Sequence, residues 1–80
     1  MWTVIQEKFK NHPAQEKVIR LLLERGFQVN EQGRVVSGSI EIPHTQIANE
    51  IGVDRRVVDS TCETIRNEKT LLQIFRNVRT

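Results

Sequence analysis

Cys62, His12 and His44 are the side chains in this chain best suited to attack an electrophile or hold a metal, and their placement serves neither purpose. A nucleophilic thiol needs a base or cation beside it, yet neither histidine lies near Cys62 in sequence. A zinc-type centre needs four ligands in closely spaced pairs, which one cysteine and two scattered histidines do not provide. The run Gly33-Arg34-Val35-Val36-Ser37-Gly38-Ser39 has the glycine spacing of a phosphate-binding loop. It lacks the lysine ahead of Ser39, however, and β-branched residues fill its middle. We therefore expect no enzyme, cofactor or metal centre, and read Cys62 as a small core residue. Arg55 and Arg56 offer a different chemistry: fixed positive charges with forked donors, suited to guanine edges and phosphates.

The residues around that arginine pair follow a spacing. Counting from His44 as the first position, Ile47 is fourth, Ala48 fifth, Ile51 eighth, Gly52 ninth, Val53 tenth and Val58 fifteenth. This is the pattern of a helix-turn-helix, over 44–51 and about 55–67. Ala48 is small where the second helix crosses the first, and Gly52 permits the positive φ of a tight bend. Asp54 is a natural N-cap for the helix that Arg55 and Arg56 open. Thr61 departs from the pattern, since the eighteenth position is more often apolar.

With Val57 and Val58 turned inward, the outer face of that helix carries Arg55, Arg56, Asp59, Ser60 and Glu63. One reading makes it the recognition helix of a double-stranded-DNA-binding domain. Arg55 or Arg56 would reach guanine or phosphate and Ser60 the backbone, while Thr45 and Gln46 would touch phosphate from the start of the preceding helix. Arg34, near a hairpin tip, is a further candidate, as a wing. The other reading is a solvated, self-paired face, because both arginines have an acid three or four residues away. The charge distribution bears on this choice. Residues 44–66 hold three Lys or Arg against four acids, giving −1, although the whole chain is +2. Phosphate neutralisation supplies most non-specific DNA affinity, so the slightly acidic segment speaks for a protein partner.

Other elements must position this unit. Trp2, Ile5 and Phe9 recur at helical spacing, predicting a helix over 2–10. Asn11-His12-Pro13 breaks it, and Pro13 opens a second helix to about Arg25, with Val18, Ile19, Leu21, Leu22 and Leu23 forming a broad apolar face and Gly26 ending it. From Phe27 the period becomes two, predicting a small β-hairpin of 27–30 with 34–37 and an extended segment over 39–42. Pro43 closes the strand. The segment Leu71-Leu72-Gln73-Ile74-Phe75 suits a short helix or a strand; it packs back on the domain, meets a partner chain or leads into another domain. The fold class expected is mainly α with a small β-hairpin, a winged-helix-like domain whose core draws on Trp2, Ile5, Phe9, Val18, Leu22, Ile47, Ile51, Val58 and Ile65. A homodimer through Trp2 and Leu71, Leu72, Ile74 and Phe75 would set two recognition helices one turn of DNA apart, roughly 34 Å.

Eighty residues make one small domain with little stability to spare. No apolar run approaches the length of a membrane span, and the start lacks a signal peptide's apolar stretch. With a single cysteine, this predicts a cytoplasmic protein.

The stretch LLLERGFQVNEQGRVVSGSIEIPHTQIANEIGVDRRVVDSTCETI, with the opening MW and the closing LLQIFRNVR, resembles the N-terminal part of archaeal predicted regulators of amino-acid metabolism. IPHTQIA and GVDRRVVD are its most distinctive pieces, and the similarity spans all 80 residues. That family joins a helix-turn-helix domain to a C-terminal ACT domain, a small ligand-binding module. The resemblance implies a DNA-binding-type domain tuned by an amino acid bound elsewhere. Some relatives look like proteins labelled allosteric regulators of homoserine dehydrogenase, which implies a metabolic enzyme as the alternative partner. The chain stops at Thr80, before any ACT domain, so amino-acid binding is carried over to no residue, and a fragment of a longer protein is expected.

Overall fold

The computed structural model describes residues 2–79; Met1 of the opening Met-Trp pair and Thr80 lie outside the described residues. In chain order the elements are α1 (Trp2–Phe9), α2 (Pro13–Arg25), β1 (Gln28–Val29), β2 (Val35–Ser37), β3 (Ile40–Ile42), α3 (His44–Ile51), α4 (Arg55–Asn67) and α5 (Lys69–Arg76). The protein is mainly helical with a small antiparallel sheet of order β1-β2-β3. The expected hairpin forms as β1 with β2, pairing Val29 with Val35. The segment expected only to be extended adds a third strand, pairing Ile42 with Val35 and Ile40 with Ser37.

Two glycine caps set the chain's direction. Gly26 takes φ +69° after α2, and the Phe27 amide donates to the Leu22 carbonyl at 2.9 Å. Gly52 repeats the device after α3, with φ +69° and the Val53 amide donating to the Ala48 carbonyl at 3.1 Å. Each closes the last turn by the left-handed geometry that only glycine adopts at little cost. Gly33 answers a further need. It takes φ +75° in the β1–β2 loop, and a β-carbon there would meet Arg66 Cδ at 3.3 Å.

α2 lies at the centre, with Val18, Ile19, Leu21 and Leu22 buried and with α1, α3 and α4 packed around it. Val29 and Val35 bring the sheet's inner face into the same core, as do Val58, Cys62 and Ile65 of α4. Thr61 is fully buried among them. Its hydroxyl donates to the Val57 carbonyl one turn back at 2.7 Å, which satisfies a polar group where an apolar one was expected.

Two sequence expectations need correction. Trp2 is 39% exposed and stands outside the core cluster, because Ile5 and Phe9 alone take α1's buried face. Leu71 and Phe75 are fully buried in the domain's own core, so they cannot form the outer surface of a homodimer. Between helix and strand, the 71–75 segment is a helix, and it packs back on the domain. Leu72, Ile74 and Ile51 are half-buried at the margin of the core.

Candidate nucleic-acid interface

The corner between α3 and α4 is built by three residues in sequence. Gly52 turns the chain, Val53 packs against the core, and Asp54 opens α4 with Oδ1 accepting the Arg56 amide at 2.8 Å. α4 therefore begins directly after a bend, and its first turn projects Arg55 and Arg56, whose side chains are 57% and 81% exposed. There is no unbroken rod through Gly52, and neither guanidinium is occluded.

Both arginines are nevertheless engaged. Arg56 turns its forked edge back on its own cap, with Nε 3.1 Å from Asp54 Oδ1 and Nη2 3.2 Å from Oδ2. The Arg56 hydrogen bonds hold the Asp54 carboxyl down at about 2, from its ordinary 3.8. Because the folded value is depressed, the cap's contribution is complete above 3.8 and disappears only as pH falls through about 2. Arg55 donates from Nη1 to Asp59 Oδ2 at 3.0 Å. One turn further on, Glu63 and Arg66 pair in the same way, and Arg66 keeps the Glu63 carboxyl below its usual range.

Asp59 has a second partner. Its Oδ1 lies 2.6 Å from Nδ1 of His44, the first residue of α3. The imidazole is 9% exposed, and its Nε2 is sealed from solvent with no hydrogen-bond partner. Beside a carboxylate Nδ1 is the donor, and Nε2 is left buried without a hydrogen-bond partner. Such an orphan costs about 1–3 kcal/mol. The bond from Nδ1 to the Asp59 carboxylate is of the same order and offsets it.

The remaining candidates divide. Thr45 and Gln46 are exposed at the start of α3. Ser60 is turned toward α2: its hydroxyl accepts from Gln15 Nε2 at 2.9 Å and donates to the Val57 carbonyl at 3.1 Å. Its hydroxyl is thus engaged within the protein, while the residue itself remains exposed. Arg34 sits where the β1–β2 loop enters β2 and pairs with Glu41 at 3.2 Å, while the β2–β3 turn is made by Gly38 and Ser39. Arg34 thus stands at the end of the β1–β2 hairpin loop with its side chain drawn to Glu41 on β3.

Self-pairing extends over the whole surface. Among the described residues, nine of the twelve Lys and Arg side chains lie beside a carboxylate, leaving Lys17, Lys69 and Arg79. Sequence reasoning found the i,i+4 pair Arg55–Asp59. It missed His44–Asp59, because no helical period links residues on different helices.

Burial raises the Cys62 thiol to about 12, with the Asp59 charge adding to the effect and Arg34 opposing it, so the thiolate is absent at neutral pH. Among the described residues no cluster of His, Cys, Asp and Glu is arranged to hold a metal ion, and no helix is long and apolar enough to cross a membrane.

A second surface feature went unread in the sequence. The outer end of the sheet's inner face overhangs the core, where Phe27, Ile40 and Ile42 meet Leu21, Pro43 and Ile47 around an open groove of about 400 Å³. Ile40 is 69% exposed there, and β3 is an edge strand with its outer side unpaired. In comparisons with family models, curated proteins and solved structures, none matches this chain.

Proposed function

We propose that this is the DNA-binding-type domain of a cytoplasmic transcriptional regulator of amino-acid metabolism, winged-helix-like in architecture, with α4 as its recognition helix and no catalytic role. One observation carries the reading: a glycine corner followed by a capped helix whose first turn projects two exposed arginines. Thr45 and Gln46, at the start of α3, are the companion phosphate contacts. Of the residues expected to pair two copies, Trp2 is exposed and Leu72 and Ile74 are half-buried, so these remain available for that contact while Leu71 and Phe75 belong to the core.

The test is binding of the 80-residue chain to duplex DNA across a salt series. Phosphate contacts make log affinity fall linearly with log salt, by about 0.9 for each phosphate neutralised. The double variant Arg55→Ala, Arg56→Ala should flatten that slope by about 1–2 units and weaken binding at least tenfold at low salt. A slope indifferent to both arginines, or no binding at all at low salt, rejects the proposal.

The groove beside β3 and the self-paired charges favour a second reading, a module that docks on a metabolic enzyme such as homoserine dehydrogenase. A cleft with an apolar floor, rimmed by Arg25, Glu41, Gln46 and Glu50 and flanked by an unpaired strand edge, suits an extended peptide segment. This reading predicts salt-tolerant association with the enzyme that Ile40→Asp abolishes, while melting temperature stays put because the side chain is mostly exposed. Association that survives Ile40→Asp removes the groove from consideration. Phe75→Asp cannot serve as that test, since it strikes the core.

A further inference from the structure

Arg55 and Arg56 are neighbours of one residue type, yet the structure equips them differently. Arg56 has both Nε and Nη2 on Asp54, so the forked edge that could grip a base is used inside the protein. Arg55 is held only through Nη1, by Asp59 Oδ2. Its Nε and Nη2 donors remain unengaged within the domain.

The carboxylate that holds Arg55 is itself fixed. An exposed arginine–carboxylate pair one helical turn apart is ordinarily loose, because both side chains keep their rotamer freedom. Asp59 is not loose in that way, since its other oxygen is pinned at 2.6 Å by a buried imidazole on the adjoining helix. A chain of two bonds thus runs from the rigid seam between α3 and α4 out to the guanidinium. Its origin at His44 is the place where the fold tolerates an orphaned Nε2.

We infer that His44 and Asp59 are positioning residues that orient Arg55 to read guanine, leaving Arg56 to contact phosphate. A guanidinium with Nη1 tied back and its other two nitrogens, Nε and Nη2, presenting N–H donors along one planar edge matches the O6 and N7 acceptors of guanine in the major groove. The inference rests on the nucleic-acid reading of the same corner. It adds base identity, the residue that reads it, and the pair that aims that residue.

The experiment is selection from a pool of randomised duplexes with the 80-residue chain, followed by affinity measurements on the selected site and on the same site with guanine replaced by adenine. The unaltered chain should prefer guanine by roughly ten- to a hundredfold. Asp59→Asn should cut that preference to within about threefold, while binding to unselected duplex holds or tightens, because one acid has gone. His44→Phe, which removes the donor and the orphan together, should keep or raise the melting temperature and still lose the preference. Should His44→Phe fail to fold, Asp59→Asn carries the test, since its side chain lies at the surface. A merely structural role would make affinity, preference and melting temperature fall together in Asp59→Asn. That result overturns the inference, as does full preference retained in both variants, or duplex binding with no guanine selected. Absence of any duplex binding, in the parent and in the variants, overturns the nucleic-acid reading itself and this inference with it.

Discussion

Phe75→Ala is expected to lower the unfolding free energy by about 3–5 kcal/mol, the range for removing a buried aromatic ring. Phe75 is fully buried, as is Leu71 one turn before it, and both belong to the cluster that contains Val18, Leu22 and Ile65. A domain of 80 residues holds roughly 4–12 kcal/mol in total, so the loss removes a large share of its stability. The melting temperature should fall by more than about 12 °C. Ile74→Ala, on the half-buried flank of the same helix, is the internal comparison and should cost about 1 kcal/mol or less. Urea titration of the three proteins, followed by circular dichroism, reads both numbers. The physical reason lies in the length of α5. Eight residues are too few to hold a helix in water, so α5 exists because Leu71 and Phe75 bury against α4 and β1. A Phe75→Ala protein as stable as its parent would mean that the terminal helix is not part of the core.

The parts of this fold legible in the sequence are those fixed by neighbours along the chain. His12-Pro13 starts α2, Gly26 and Gly52 end helices, and Asp54 caps α4, each by a rule reaching only a few residues. The Asn30–Gly33 turn was readable for the same reason: the Asn30 side chain accepts the amides of Gln32 and Arg34, and glycine supplies the positive φ. What escaped depends on residues far apart. Ile40 and Ile42 form a third strand only because Val35 and Ser37 present a free edge to them. The helical form of 71–75 is decided by the burial of Leu71 and Phe75, four residues apart on one face. The type and spacing of Trp2 suggest a core residue, but Ile5 and Phe9 take the buried face of α1 and leave Trp2 exposed. At the candidate site the arginines were visible from the helix pattern. Their partners were visible only where both ends of the pair lie on one helix, as with Arg55 and Asp59. His44 required the two helices to be brought together.

The sharpest separation of the two functional readings comes from neutralising acids that hold arginines along α4 without holding Arg55. Asp54→Asn preserves the cap, because asparagine accepts the Arg56 amide as well as aspartate does, and it releases Arg56 Nε and Nη2 from a charged partner. Glu63→Gln likewise loosens Arg66. Together they change residues 44–66 from −1 to +1, with three Lys or Arg against two acids instead of four. If α4 lies against DNA, each released guanidinium adds a phosphate contact and two local repulsions vanish. The salt slope should then steepen by about 1–2 units, and affinity at low salt should rise by roughly ten- to a hundredfold. The melting temperature should change little, since these pairs are exposed and such pairs contribute little to stability. If the chain instead docks on an enzyme through the groove beside β3, the same variant should bind that enzyme as before, because Ile40, Phe27 and Leu21 are untouched. A double variant with an unchanged salt slope would mean that this face of α4 never meets phosphate, and that its pairing with acids is its whole role.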